Sequence, residues 1–416
     1  MAGGTRFYRP DIQTLARDRI RALQEERLRT LLHRAFEIPF WRRLLDGAGI
    51  GPDDVKTLDD LRRVPRTTKQ DLRDSEEASP PLGDYRGAPP SQSIRLSTST
   101  GTTGRPTISL FTRRDLDVEY DAACRMFARQ GYVPGEIVTH AHPAGLNGGA
   151  ALLGGALEAF GVLNVPVGPP MSKADAQRAI GLWRELKPTR YEMFGPALHT
   201  FWETAIEMGL DPAKDLNMPP ASEMPPWRTI SAGLECFAFL GSACEEMHGS
   251  HVCEDEAIVE AVDPGTGEWV APGQRGHLVV TSLTKDNFLL RYDLEDLVRL
   301  DPAPCACGET HVRAFWDGRA KDLVHAGTRD LLPLDVSLVL RDIREVATPA
   351  IEFQMVRTAD TSALQIRVEA PNPTDELADR VAGMLLQRLG VPIRLELLAA
   401  GALPRPAYKP APVVDE

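Results

Sequence analysis

The chain has 416 residues, more than the roughly 250 to 300 at which a single hydrophobic core stops growing, so two domains are expected. With 43% hydrophobic and 25% charged residues it has a globular composition, and 47 Lys+Arg against 59 Asp+Glu give a net charge of -12, which excludes wholesale disorder and argues against a broad grip on nucleic acid. No run approaches about 18 uninterrupted apolar residues, and the start MAGGTRFYRPDIQ lacks the apolar stretch of a signal peptide, so a soluble, cytoplasmic protein without a membrane partner is expected.

From Asp11 to Phe36, apolar residues recur at helical spacing (Ile12, Leu15, Ile20, Leu23, Leu28, Leu31, Leu32, Phe36) with Arg and Glu on the opposite face, which predicts one long amphipathic helix or two. The run SPPLGDYRGAPPSQ (79–92) is rich in Pro and Gly and reads as a loop that leads into a functional segment. Beyond it EIVTHAH predicts a strand, GGAALLGGALEAFG a small-residue helix, VLNVPVG a strand, and SKADAQRAIGLWREL a helix in which Ser172 and Asp175 form a capping box. RYEMFG closes an alternation of strands and helices that predicts a parallel sheet covered by helices. HLVVTSL (277–283) predicts a strand with the near-continuous apolar pattern of a buried sheet. Past Gly318 the pattern restarts as a small α+β unit with strands IEFQMVR and ALQIRVEA and a helix from Thr374 to Leu389. The boundary is placed near 317, giving domains 1–317 and 318–416, with no internal repeat.

Two groups of residues carry chemistry. The segment STSTGTTGRPT (97–107) has two Gly and seven hydroxyl residues in eleven positions, a composition that lets backbone N–H groups and short donors close around a polyphosphate. It lacks the spacing and terminal Lys of a P-loop, and a Ser/Thr-rich surface linker would share its composition. The six cysteines are too few for a disulfide framework, and four lie in two tight groups, Cys244 with Cys253 and Cys305 with Cys307. With His248 and His251 they form a set suited to tetrahedral zinc, although reduced thiols without metal are the plain alternative. Cys124 and Cys236 read as buried apolar fillers.

Ser99, Thr100, Gly101, Thr102, Thr103, Gly104, Arg105, Pro106 and Thr107 in register resemble the phosphate-binding signature of acyl-adenylate-forming enzymes, and more closely that of the phenylacetate-CoA ligase family. The likeness continues in order through FWRRLLDGAGIGPDDVKTLDDLRRVPRTTKQDLRD, ELKPTRYEMFGPAL, EAIVEAVDPGTGEWVAPGQRGHLVVTSLTK, RYDLEDLVRL, GRAKDLV and GALPRPAYKPAPVVD. The resemblance implies an α/β fold with a large N-terminal adenylate-forming domain of helix-covered sheets and a small mobile α+β C-terminal domain. It implies a carboxylate and Mg-ATP reacting to an acyl adenylate, followed by displacement of AMP by the thiol of coenzyme A or a carrier protein. An aromatic acid is the expected substrate, and a homodimer is an open option.

By the same resemblance Ser99 to Gly104 hold the phosphates, Asp296 accepts from the ribose hydroxyls, and Arg319 lies near the nucleotide. Lys321 falls on the hinge, and Lys409 bridges the substrate carboxylate and the α-phosphate. A zinc on Cys244, His251, Cys305 and Cys307 matches the family's arrangement, with His248 and Cys253 as competitors. His140 and His142 fall where the acyl pocket is built and could meet a polar substituent of the acid.

The sequence also departs from the family. The usual Gly-Glu-Pro segment, helix and Tyr-Gly-x-Ser/Thr-Glu are replaced by WRTISAGLECFAFLGSACEE, with MPPASEMPP just upstream, and GTRDLLP replaces the usual Arg-Gly-Val-Asn. Glu235 is the candidate magnesium ligand, with Glu245 and Glu246 as alternatives. A different acceptor, such as a pantetheinyl arm or an amine, and a catalytically degenerate nucleotide- or acyl-binding homologue are the competing readings.

Overall fold

A computed structural model describes residues 7–98, 106–146, 148–193, 195–219, 229–230, 233–347, 351–404 and 412–416. The N-terminal periodicity resolves into two helices, α1 (Pro10–Gln13) and α2 (Arg17–Phe36). The break between them is held from elsewhere in the chain. Thr310 donates its N–H to the Gln13 carbonyl at 3.0 Å and its hydroxyl to the Leu15 carbonyl at 2.6 Å, so carbonyls released by the break keep partners.

Next come α3 (Pro39–Gly47) and α4 (Lys69–Ala78), the latter started by a Thr68/Asp71 capping box. β1 (Arg95–Thr98) and β2 (Ile108–Phe111) pair antiparallel, with Thr98 opposite Ile108. α5 (Arg113–Arg129) starts on a second capping box, Thr112 with Asp115. The alternation then forms as expected: β3 (Ile137–His140), α6 (Gly149–Phe160), β4 (Leu163–Pro166), α7 (Lys173–Leu186) and β5 (Arg190–Glu192). β3 lies in the middle of a three-stranded sheet and is parallel to both neighbours. Gly161 ends α6 at φ +88°, where a side chain would be strained. The Ser172 hydroxyl accepts from the Asp175 N–H at 3.2 Å at the start of α7. Val138 of β3 packs on Leu153, Ala156 and Leu157 of α6, which explains the helix's small-residue face.

After α8 (Gly195–Glu207) and α9 (Pro212–Leu216) the chain builds a seven-stranded sheet. Its members are β6 (Thr229–Ile230), β7 (Gly241–Ala243), β8 (Ser250–Val252), β9 (Ala257–Val262), β10 (Arg275–Ser282), β11 (Tyr292–Asp301) and β12 (Arg313–Arg319), with the short helix α10 (Gly233–Cys236) between β6 and β7. The spatial order is β6-β7-β8-β12-β11-β10-β9. β10, the HLVVTSL strand, is buried, and it pairs antiparallel with both neighbours. Leu278 and Val280 of β10 share a core with Ile258 of β9, Leu28 and Leu31 of α2, and Trp41 of α3.

The chain then forms β13 (Val324–Ala326), β14 (Arg329–Leu331), α11 (Pro333–Leu340), α12 (Arg344–Ala347), β15 (Phe353–Arg357), β16 (Leu364–Ala370), α13 (Asp375–Leu389), β17 (Ile393–Ala399) and β18 (Val413–Asp415). The sheet order here is β17-β16-β15-β18. Val381 and Leu385 of α13 pack on Ile366 and Val368 of β16. Thr374 caps α13, as its position before the periodic run predicts.

Two compact units divide the chain, one of Met1–Pro169, Leu186–Glu192 and Pro225–Trp316, the other of Pro170–Glu185, Met193–Met224 and Asp317–Glu416. A single cut near 317 therefore omits the excursions that carry most of α7 and α8 together with α9. Order along the chain does not reveal these excursions, because an amphipathic helix shows which face is apolar and not what covers it. Among the described residues no helix is long and apolar enough to cross a membrane.

Candidate functional site

The β1–β2 hairpin brackets the glycine- and hydroxyl-rich segment. Ser99, Thr100, Gly101, Thr102, Thr103, Gly104 and Arg105 lie outside the described residues, but their flanks are fixed. The Thr98 N–H donates to the Leu146 carbonyl at 2.6 Å, which ties the start of the segment to the loop that follows β3.

α10 lies against β1 and β2 and brings Glu235 beside this hairpin. Glu235 Oε1 accepts from Lys69 Nζ at 3.3 Å and from the buried Tyr292 hydroxyl at 3.1 Å. Its Oε2 has no protein partner among the described residues, so a half-buried carboxylate with one held oxygen remains to meet a hard cation. Glu245 and Glu246, the alternatives, are exposed on the turn after β7. Glu119 of α5 sets the position of α10 by accepting the N–H groups of Ala238 at 3.0 Å and Phe239 at 3.1 Å. Lys285 pairs with Glu119 and donates to the Cys236 carbonyl at 2.7 Å. No sequence motif pointed to this Glu119–Lys285 pair, because its members lie on different elements far apart in the chain.

Asp296 is buried on β11, at 4% exposure. The strand is irregular there: His277 faces Leu297 and Val279 faces Asp293, so Leu278 alone spans Leu294, Glu295 and Asp296. Glu295 takes φ +57° and donates its N–H to Asp293 Oδ1 at 2.9 Å. A bulge of this kind re-aims the side chains that follow it, and the sequence, with no Gly in RYDLED, gives no sign of it.

Arg319 ends β12 and is exposed, two residues before Lys321 in the turn Ala320–Asp322. Arg357 of β15 donates to the carbonyls of Lys321 at 2.6 Å and Leu323 at 3.1 Å, which fastens that turn to the small sheet. Lys409 lies outside the described residues. The chain before it is held where Glu369 accepts the N–H groups of Gly401 at 2.9 Å and Leu403 at 2.5 Å, and the chain after it is held by β18, which pairs parallel with β15.

His140 ends β3, and its ring lies 5.9 Å from that of His142. Burial lowers the pKa of both, and His142, with His140 next to it, falls to about 4. Both imidazoles are therefore neutral near pH 7.

The cysteine cluster assembles as the sequence suggests. Ligand atoms of Cys244, His251, Cys305 and Cys307 all lie within 4.8 Å of one another, with Cys244 Sγ 3.8 Å from Cys305 Sγ and Cys307 Sγ 3.3 Å from His251 Nε2. His251 Nδ1 lies 2.9 Å from the His311 carbonyl; a carbonyl only accepts, so Nδ1 carries the proton and the Nε2 lone pair faces the thiols. Burial pushes the Cys244 thiol up and the Cys307 thiol to about 12, an environment that a divalent cation would reverse by stabilising thiolate. Three thiols and one correctly oriented imidazole fit zinc.

The competitors drop out. His248 is exposed with its ring 5.0 Å from that of Phe315, and Cys253 is fully buried in the core. Beside the cluster, Glu309 forks Arg129 (2.9 Å and 2.5 Å) and takes Gln13 Nε2 at 3.3 Å, a buried set that links the Cys305 loop to α5 and α1.

Comparison with known proteins completes the picture. No family model matches the chain. The phenylacetate-coenzyme A ligase of Thermus thermophilus is 34% identical across 96% of this chain and 97% of that one. The chain belongs to the phenylacetate-coenzyme A ligase family. Membership carries the enzyme class with it, an AMP-forming acid–CoA ligase. The ligase of Aromatoleum evansii is 30% identical over 86% of this chain and 83% of that one, and that of Escherichia coli 28% over 97% and 96%. Among solved structures, 2-hydroxyisobutyryl-CoA ligase in its postadenylation state with 2-HIB-AMP superposes with a TM-score of 0.89 at 24% identity, covering 100% of this chain and 94% of that one. That likeness speaks for the adenylate-forming fold of this ligase family.

Proposed function

We propose that this ligase activates a compact aromatic carboxylic acid with Mg-ATP as its acyl adenylate and passes the acyl group to the thiol of coenzyme A. The observation that carries the reading is likeness over nearly the full length to phenylacetate-coenzyme A ligases, together with the in-register phosphate signature from Ser99 to Thr107. The small residues Gly148, Gly149 and Ala150 at the head of α6 support a pocket wide enough for a flat ring.

In this reading the acid's carboxylate attacks the α-phosphorus of ATP and pyrophosphate leaves. Ser99 to Gly104 hold the phosphates, Asp296 takes the ribose hydroxyls, and Arg319 lies beside the nucleotide. Lys409 stabilises charge on the oxygen that comes to bridge acyl carbon and phosphorus. The thiolate then attacks the acyl carbon and AMP leaves, with Lys321 as the hinge between the two steps.

Glu235 would hold magnesium, which supplies charge neutralisation to the phosphates. Cys244, His251, Cys305 and Cys307 would hold zinc, which supplies a cross-link between the β7–β8 segment and the Cys305 loop. The experiment is ATP–pyrophosphate exchange over a panel of acids, followed by offering CoA or a pantetheinylated carrier protein as acceptor. Exchange that depends on an aromatic acid, and thioester formation with CoA, are expected; absence of exchange with every acid would leave only a binding protein.

A further inference from the structure

The far wall of the proposed acyl pocket contains polar atoms that the fold leaves without partners. His140 stands at the carboxyl end of the middle strand of a parallel sheet, where crevices that take ligands form in α/β folds. It is 2% exposed, and neither ring nitrogen has a hydrogen-bond partner among the described residues. A neutral imidazole has one N–H and one lone pair, so both a donor and an acceptor are out of water and unmatched, at a cost of about 1 to 3 kcal/mol each. Asn164 of β4 shows the same defect: Nδ2 reaches Glu158 Oε1 at 3.3 Å, while the buried Oδ1 is unmatched among the described residues.

Both side chains face one position of α6, Gly154. A Cβ there would lie 3.9 Å from His140 Nε2 and 3.1 Å from Asn164 Nδ2, so the missing side chain leaves a gap lined by polar atoms in an otherwise apolar helix packing. A purely structural site would more economically hold apolar residues at 140 and 164. The loop after His140 leads to Leu146, whose carbonyl binds the residue just before the phosphate segment, which puts this gap one short loop from the expected site of adenylation.

The geometry points to a substrate acid that carries a neutral hydrogen-bonding substituent, a hydroxyl or an amino group, with His140 and Asn164 as the residues that select it. This inference rests on the acyl-ligase reading above. A hydroxyl can donate to one unmatched acceptor and accept from the imidazole N–H in one placement, and the unsubstituted acid leaves both unmet. Sites built to hydrogen-bond a substituent reject the analogue that lacks it by up to about 10,000-fold.

The test is acid-dependent ATP–pyrophosphate exchange with benzoate, phenylacetate and each monohydroxy and monoamino isomer of the two, reading kcat/KM for each substituted acid relative to its parent. One isomer should exceed its parent by about 10-fold or more. His140→Leu should collapse that ratio toward unity. Gly154→Ala should lower the ratio too, by filling the gap with a methyl group, and since Ala favours a helix over Gly this variant keeps its fold; thermal melts of both variants check that they remain folded. If the parent acids exchange as well as every substituted isomer, or if the ratio survives both substitutions, the unmatched atoms bind only a buried water and the inference fails while the ligase reading stands. No exchange with any acid would instead defeat the ligase reading.

Discussion

Asp255→Asn tests whether α5 is the spine that positions the site. Arg125 of α5 has no exposed side-chain surface and forks Asp255 through Nη1 at 2.6 Å and Nη2 at 2.9 Å, with Asp121 as a further partner at 2.5 Å. Burial alone would raise the Asp255 pKa, but the hydrogen bonds and charge of Arg125 together outweigh it and bring it from 3.8 down to about 2. A shift of that size corresponds to about 2 kcal/mol of stability. Breaking a fully buried pair costs about 3 to 5 kcal/mol, and because Asp121 remains, a loss of about 2 to 3 kcal/mol is expected. At about 2 to 4 °C per kcal/mol for a unit of this size, the Tm should fall by about 4 to 12 °C.

The pH dependence has a fixed sign. A depressed carboxyl pKa gives stability that is present in full above the unfolded value near 3.8 and is lost as pH falls through about 2. The gap between the native chain and Asp255→Asn in urea titrations should therefore be constant near neutrality and close between about pH 4 and pH 2. Replacing both partners, Asp255→Leu with Arg125→Met, should recover much of the loss, since no charge is left buried alone. A single variant that melts within about 2 °C of the native chain, or a double variant less stable than the single, would refute the reasoning.

Elemental analysis should find about one zinc per chain, and Cys305→Ser should lower both the zinc content and the Tm; metal-free protein of full stability rejects the site. Glu235→Gln should raise the magnesium needed for half-maximal exchange by about 10-fold or more, and an unchanged magnesium dependence would remove Glu235 from the site. Lys409→Ala should slow adenylation by about 100- to 1000-fold and leave thioester formation from supplied acyl adenylate nearly intact. Lys321→Pro should do the reverse, because fixing φ at the hinge hinders the second step. Normal exchange by Lys409→Ala would show that the tail lysine was misassigned.

The sequence was most legible where its information is local. The small-residue face of α6, its terminating Gly161, the Ser172–Asp175 cap and the Thr374 cap are short-range patterns, and each element forms where the pattern ends. The cysteine cluster was legible too, because thiols and imidazoles in tight groups have few other uses. Features made by long-range pairing were not. The break after Gln13 depends on Thr310, the β11 bulge depends on register against β10, and the unmatched pair His140 and Asn164 meets only because two parallel strands and α6 converge. Neither the Glu309–Arg129 pair nor the Asp255–Arg125 pair could be chosen from among the chain's many acids and arginines without the fold.

The most direct measurement is the product balance of the complete reaction. The purified chain, given ATP, magnesium, CoA and its preferred aromatic acid, should release AMP, pyrophosphate and acyl-CoA in equal amounts, and without CoA it should retain acyl adenylate. Formation of ADP and phosphate, or AMP release without acyl-CoA when CoA is present, would contradict the account.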